Sequence, residues 1–505
     1  MSASPTFPRS AGVLLHPTSL PGGHGIGDLG AAAFEFVDWL AAAGMGVWQV
    51  LPLGPTGGDD SPYAGWSAFA GNPLLIAIEP LWRAGLLRAV ELREAPPTSD
   101  QVDFAAVRAW KLPLLDVAAR RFLAAPDHRW RADYEAFVAR AGWLDDAALF
   151  AAMRQEQDGA PWWQWPATMR DRRGGALVRA RRRLGDRVAC FAVIQFFFDR
   201  QWRKLRAYAA AQRVRIFGDL PIYTALDCVD VWANRRLFQL DPLGRPLAVS
   251  GVPPDAFSET GQLWGNPLYH WPNNARRGFR WWIARLRRTF ELVDLVRIDH
   301  FRGFAGYWRV PVDAEDARSG SWQPGPGAPL FEAVTHALGP LAIVAEDLGI
   351  IDEPVRELLE ATGMPGMRVL QFAFGGDLDD LHLPHNHAPH GVVYTGTHDN
   401  DTTLGWWQGA DERCRHHVRL YLGVDGHDAV WDLVRAAMAS VSHTAIIPAQ
   451  DALGLDSSGR MNTPAVAAGN WAWRLCDGDL GAHHAGRLRR LAGLYGRLDG
   501  QAGAP

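Results

Sequence analysis

Three short runs each deliver a carboxylate where an apolar stretch stops. The clearest is LVRIDHFR (295–302). Val293, Leu295, Val296 and Ile298 have the composition of a buried strand, and Arg297, Asp299 and His300 cluster where it ends. Residues two apart in a strand share a face, so Arg297 and Asp299 project together. A guanidinium beside a carboxylate favours its charged form, and an ionised carboxylate can serve as a nucleophile. The same pair could equally be a buried ion pair closing a barrel layer. IVAEDLG (343–349) ends in Glu346 and Asp347, and GVVYTGTHDN (391–400) ends in His398 and Asp399. Three strands with the same grammar point to a site, because barrel enzymes keep their chemistry at the C-terminal ends of the strands.

Asp219, near the end of VRIFGDLPIY (214–223), adds a fourth carboxylate. Carboxylates around one centre, with an arginine and two histidines (His300, His398), suit glycosidic bond cleavage through an oxocarbenium-like transition state. On this reading Arg297 keeps Asp299 ionised as the nucleophile. Glu346 has no Arg or Lys in its own segment and is the better acid/base. Asp399 would bind sugar hydroxyls and stabilise the charged transition state. Two other chemistries compete. His385 and His387 form HxH, but in a Pro/His-rich loop and without HExxH, so no metal is expected. Gly25, Gly27 and Gly30 spell GxGxxG, yet the following strand, VWQVLPL (47–53), lacks the acid that a dinucleotide ribose requires. These glycines are read as a tight turn.

The elements that must hold these residues alternate along the chain. Strands centred on Leu14, Val50, Ile216, Val296, Val344, Leu370, Val393 and Ile446, separated by helical segments, predict an α/β fold: a (β/α)₈ TIM barrel with large inserts after its second and third strands. The expected organisation is one catalytic domain, 1–505. A mostly helical insert occupies about 54–210, its last helix (188–213) packing Phe191, Ile194, Phe198 and Trp202 inward at helical spacing. A second insert, about 224–275, contains VPPDAFSETGQLWGNPLYHW (252–271), a non-regular, aromatic-rich stretch. A long loop of this composition is more often functional than idle. The tail 500–505 reads as frayed.

With 505 residues, 48% hydrophobic, the chain can bury a large core. Its formal net charge of −4 and single short basic cluster, RARRRL (179–184), exclude a nucleic-acid surface. Four scattered cysteines, no basic-then-apolar leader and no membrane-spanning run predict a soluble cytoplasmic protein with no membrane partner. The 23 tryptophans and 22 phenylalanines offer flat apolar faces suited to carbohydrate rings, or simply to a core.

Taken together, LLHPTSLPGGHGIGDLG, WQVLPLGPTG, SPYAGWSAFAGNP, GDLPIY, GVPPDAFSETGQLWGNPLY, VRIDHFRG, AEDLG, VLQFAF, TGTHDN and MNTP resemble the amylomaltase (disproportionating enzyme) family. These are 4-α-glucanotransferases related to the α-amylases, and the resemblance spans nearly the whole chain. It implies Asp299 as nucleophile, Glu346 as acid/base and Asp399 as transition-state stabiliser. It implies Arg297, His300, His398, Asp219 and Tyr63 around the bond being broken. Phe257, Gln262 and Trp264 would arch over the glucan, and Ser61 and Asn266, from the same motifs, count among the substrate-binding residues. Maltooligosaccharides, amylose or glycogen-type α-glucans and glucose are the implied partners, with no cofactor. An α-amylase-type hydrolase and a non-catalytic glucan-binding barrel are the alternatives. The chain departs from the family pattern at Ala465, where Gly is usual, at Cys228, where a small polar residue is common, and at Gly375, where Asp is frequent.

Overall fold

The eight barrel strands form where the short apolar runs can be buried on both faces. The computed structural model describes residues 8–254, 258–466 and 468–498. In chain order the strands are β1 (Ser10–Leu14), β2 (Val47–Gln49), β3 (Arg215–Pro221), β4 (Ala248–Val252), β5 (Gln262–Pro267), β6 (Leu295–Asp299), β7 (Gly306–Pro311), β8 (Ser321–Pro324), β9 (Ile343–Ala345), β10 (Gly366–Val369), β11 (Gly391–Tyr394) and β12 (Thr444–Pro448). Eight of them pair in parallel in the order β10-β11-β12-β1-β2-β3-β6-β9, with helices between, making a (β/α)₈ TIM barrel. The seam between β9 and β10 is closed by the Ala345 N–H on Pro365 O at 2.8 Å. Asp347 completes it, its Oδ1 accepting from Met367 N at 2.7 Å and its Oδ2 from Arg368 Nη1 at 2.8 Å. Gly366 is required beside it, since a Cβ there would stand 2.3 Å from Asp347 Oδ2. Asp347 is therefore a barrel fastener, unlike its neighbour Glu346.

Two strands are shorter than the apolar runs suggest. β2 stops at Gln49, although Val50 still donates to Phe217 O, and β10 stops at Val369, where Leu370 opens a 3₁₀ turn. Pro52 withdraws the ladder donor that a longer β2 would need. The GxGxxG stretch is a turn: a Cβ on Gly27 would lie 2.1 Å from Pro17 O.

Between β2 and β3 the chain is helical, including Phe104–Ala124 and Gly185–Ala211. In the second of these Phe198 and Trp202 are buried, whereas Phe191 and Ile194 are only half-buried. Val193, Phe196 and Phe197 are buried in addition, because this helix packs against both the insert and the barrel layer. Two of its glutamines hold the preceding loop by both backbone groups. Gln195 takes Gly71 N–H and C=O at 2.8 and 2.9 Å, and Gln201 does the same to Ala77. Lys111, fully buried, ties the other long helix to Asp28 at 3.1 Å and to Leu74 O at 2.8 Å.

The stretch 252–271 is not wholly irregular. Residues Gln262–Pro267 form β5, which joins β4, β7 and β8 in a four-stranded antiparallel sheet of order β5-β4-β7-β8. These strands are short and rich in Gly, Pro and Trp, so neither periodicity nor length announces them. Their pairing is tertiary: β4 and β5 lie before β6 in sequence, and β7 and β8 after it.

Candidate active site

Four carboxylates converge at the C-terminal end of the barrel. Asp219 and Arg297 are register partners on adjacent strands, and Arg297 and Asp299 share a face of β6. Arg297 therefore reaches both acids: Nη1 pairs with Asp219 Oδ2, and Nη2 lies 2.7 Å from Asp299 Oδ1. Tyr63, brought in by the loop after β2, donates its hydroxyl to Asp219 Oδ2 at 2.7 Å. Arg285 holds the end of β3 by donating to Pro221 O (2.6 Å) and Ile222 O (3.0 Å).

Glu346 stands directly after β9, whose Ala345 is in register with Ile298. Its carboxylate bridges two loops, Oε2 accepting from His300 N (2.7 Å) and Oε1 from Leu348 N (2.8 Å). Glu346 is thus hydrogen-bonded to the peptide that follows Asp299. His300 takes the left-handed conformation (φ 52°) that turns the chain there. Burial, and secondarily Arg302, lowers His300 to about 3, so its ring is neutral.

Burial pushes the Asp299 carboxyl up to about 8, against the pull of Arg297, with Asp219, Glu346 and Asp399 adding to the rise. Glu346 is raised too, first by burial, while Arg297 and its two backbone donors oppose. Arg297 therefore works against burial and neighbouring acids at Asp299 and does not act alone. Acids crowded round one guanidinium titrate as a group, and Arg297 biases which of them carries the charge.

Asp399 belongs to a different arrangement. It lies in the loop after β11, its Oδ1 accepting from Asn462 Nδ2 at 2.7 Å and its Oδ2 lying 3.3 Å from His398 Nε2. Arg460 fixes the same residue by its carbonyl at 2.8 Å. His398 is buried and stacked on Tyr63 (centroids 5.1 Å, 12°), with Trp471 tilted beside both at 5.8 and 5.9 Å. Burial lowers its pKa, with Asp399 opposing, and a neutral imidazole follows. Asn462, Arg460 and Trp471 were not singled out from sequence. Asn462 stands in the MNTP motif, which was the available signal.

The antiparallel sheet brings one aromatic side chain to the site. Trp264 on β5 meets the His300 ring edge-on, at 4.7 Å and 85°, and its Nε1 donates to Gln262 Oε1 at 3.1 Å. Phe257 lies outside the described residues. Asn266 is engaged within the fold at both ends of its amide, by Ser250 Oγ and Thr224 O at 3.3 Å each. Ser61 Oγ accepts from Tyr63 N at 3.2 Å, a local turn that orients Tyr63. His387 uses both ring nitrogens on Ser440 Oγ and His382 O, so it serves packing.

Two of the three departures have local explanations, while nothing in the structure explains the exposed Gly375, where a Cβ would meet open space. Ala465 sits at φ 65°, the region that favours glycine. Cys228 is the N-cap of helix Val229–Ala233, its Sγ accepting from Val231 N at 3.4 Å, a role that a hydroxyl or carboxylate fills better.

Comparison with known proteins agrees across nearly the full length. A family model described as 4-alpha-glucanotransferase matches residues 15–478. The chain is 48% identical over 500 residues to a chloroplastic/amyloplastic 4-alpha-glucanotransferase of Arabidopsis thaliana, covering 98% of this chain and 87% of that one. It is 47% identical to the 4-alpha-glucanotransferase of Thermus thermophilus, covering 97% and 100%. An amylomaltase of Streptococcus agalactiae, solved in complex with acarbose, superposes with TM-score 0.94 at 36% identity, covering 97% and 100%.

Proposed function

The chain belongs to the 4-alpha-glucanotransferase family, and on that premise we propose that Asp299, Glu346 and Asp399 carry the transfer as a retaining double displacement. Asp299 attacks the anomeric carbon of an α-1,4-linked glucan. The bond from that carbon to O4 of the next residue breaks, and Glu346 gives its proton to that oxygen. The 4-hydroxyl of glucose or another glucan then attacks the same carbon. Its proton passes to Glu346 while the ester bond to Asp299 breaks, so two inversions give net retention.

The observation that carries this reading is the asymmetry of Arg297. It donates directly to Asp299 at 2.7 Å, whereas Glu346 is held only by neutral backbone N–H groups. Of two acids sharing a proton, the one bonded to a guanidinium takes the charge and the other keeps the proton. In this reading Asp399, oriented by Asn462 beside the stacked rings of Tyr63 and His398, holds sugar hydroxyls in the transition state.

Water and a sugar hydroxyl compete for the covalent intermediate. Trp264, seated on His300, supports an apolar lid that excludes water and stacks the acceptor. The substrates proposed are maltooligosaccharides and amylose- or glycogen-type glucans, with glucose as an acceptor. The setting proposed is cytoplasmic, consistent with four cysteines in thiol form.

Incubation with maltotriose tests the activity. A ladder of longer maltooligosaccharides plus glucose, with nearly constant reducing ends, is expected. A steady rise in reducing ends with only shorter products would make the protein a hydrolase. Trp264→Ala is expected to lower the transfer-to-hydrolysis ratio by roughly two- to tenfold, the scale of one aromatic contact. An unchanged ratio removes the lid from the account.

A further inference from the structure

The loop that carries His398 and Asp399 leaves β11 at Thr395 and ends where helix Thr403–Gly409 begins. Both ends of that loop meet one buried carboxylate. Asp451, in helix Ala449–Leu453 directly after β12, is 1% exposed. Its Oδ2 accepts from Thr395 Oγ1 at 2.6 Å and from Thr403 Oγ1 at 2.7 Å, while Oδ1 accepts from Thr403 N at 2.7 Å. We propose that Asp451 is a positioning residue: it clamps the two ends of loop 395–403 together and thereby sets where Asp399 and His398 stand against the sugar. This rests on the assignment of Asp399 given above.

The rest of the loop is built to transmit such a clamp. Asn400 Oδ1 accepts from Thr397 N and Thr397 Oγ1, both at 2.9 Å, making 397–400 a closed turn around Asp399. Gln371, following β10, donates to Asp401 O at 3.0 Å, and Ser457 Oγ donates to Asp401 Oδ2 at 2.6 Å. The turn is thus closed internally and tied from outside at Asp399 and Asp401, which leaves its two ends to be fixed. Those ends are the groups that Asp451 holds. A carboxylate suits the task because it offers only acceptors, and all three loop groups are donors. An asparagine of the same shape offers one acceptor oxygen and a donor that meets none of them.

Asp451 is buried behind the loop, and the residue it positions is assigned to stabilising the transition state, so its loss should act chiefly on turnover. For Asp451→Asn the expected result is a fall in kcat of about 10- to 100-fold, with KM for maltotriose within about twofold of wild type. In an Asp399→Asn background the same change should cost little more, because the residue it positions is already disabled. Should Asp451→Asn fail to fold, Thr403→Val against Thr403→Ser carries the same test. The serine keeps the clamping hydroxyl and should keep kcat, and the valine should lose it. Wild-type kcat in Asp451→Asn beside an inactive Asp399→Asn would overturn the clamp while leaving the active-site assignment standing. An active Asp399→Asn would instead overturn that assignment. A rise in KM with unchanged kcat would also overturn the clamp.

Discussion

The two halves of the site hold their carboxylates by different physics. On one side, Asp219, Asp299 and Glu346 stand at the ends of the adjacent strands β3, β6 and β9, and a single buried guanidinium serves two of them. On the other, Asp399 rides a loop: its carboxylate takes the neutral amide of Asn462 from a second loop, and Arg460 reaches only its backbone carbonyl. Exposure follows the same division: the Asp299 side chain keeps 29% of its surface and that of Asp399 keeps 43%. Strand ladders fix position cheaply, so the first half can use its charges to set protonation. The second half lacks a ladder and uses hydrogen bonds to set position. In the proposed mechanism, chemistry that depends on where a proton sits accordingly falls to the Arg297 side, and contact with sugar hydroxyls in the transition state to the Asp399 side.

The contrast can be broken most forcefully at Arg297. Arg297→Met leaves two crowded carboxylates without their cation. Loss of one partner of a buried pair costs about 3–5 kcal/mol, so a large drop in melting temperature and loss of turnover are expected. Retention of both would mean that the guanidinium is not what organises this half.

Protonation gives a second test. Burial raises both acids of the pair Asp299 and Glu346, Asp299 to about 8, above the unfolded carboxylate value of about 4. The folded state thus binds the proton more tightly than the unfolded state. The associated stability is full below about pH 4 and is lost as pH rises through about 8. Asp299→Asn does not titrate, so its melting temperature should gain on wild type progressively between those values. A difference that is flat with pH would contradict the raised carboxyl. No such trend is expected for Asn462→Ala on the other side. That variant should lower kcat by about tenfold, the scale of one hydrogen bond to a charged group, and should leave the pH profile in place.

The smallest expected effect lies in the loop that carries Asn462. Ala465→Gly relieves a left-handed alanine and should stabilise the protein by at most about 1 kcal/mol, read by denaturant unfolding. Destabilisation would mean that the strain is offset by contacts of the methyl group.

The strand-borne half of the site was legible in the sequence because each acid follows its own apolar run. Asp219, Asp299 and Glu346 could be placed by strand counting, and Asp399 nearly so. What escaped depends on distant pairing. Asn462 meets Asp399 from a loop 63 residues further along the chain. The antiparallel sheet joins segments from either side of β6, so no local window contains its pattern. Neighbours in sequence reveal Arg297 beside Asp299 but not the burial and the other acids that act against it. Glu346 and Asp347 show the limit most sharply: adjacent acids, one reaching the peptide after Asp299 and the other fastening the barrel seam.

The most direct test of the central claim uses Glu346→Gln with α-maltosyl fluoride. Fluoride leaves without a proton, so the first displacement can proceed without the acid, while the second, which needs the base, stalls. Mass analysis of the digested protein should then find the glycosyl adduct on Asp299. An adduct on Glu346→Gln, on Asp399 or on any other side chain would contradict the account, as would steady turnover with no adduct at all.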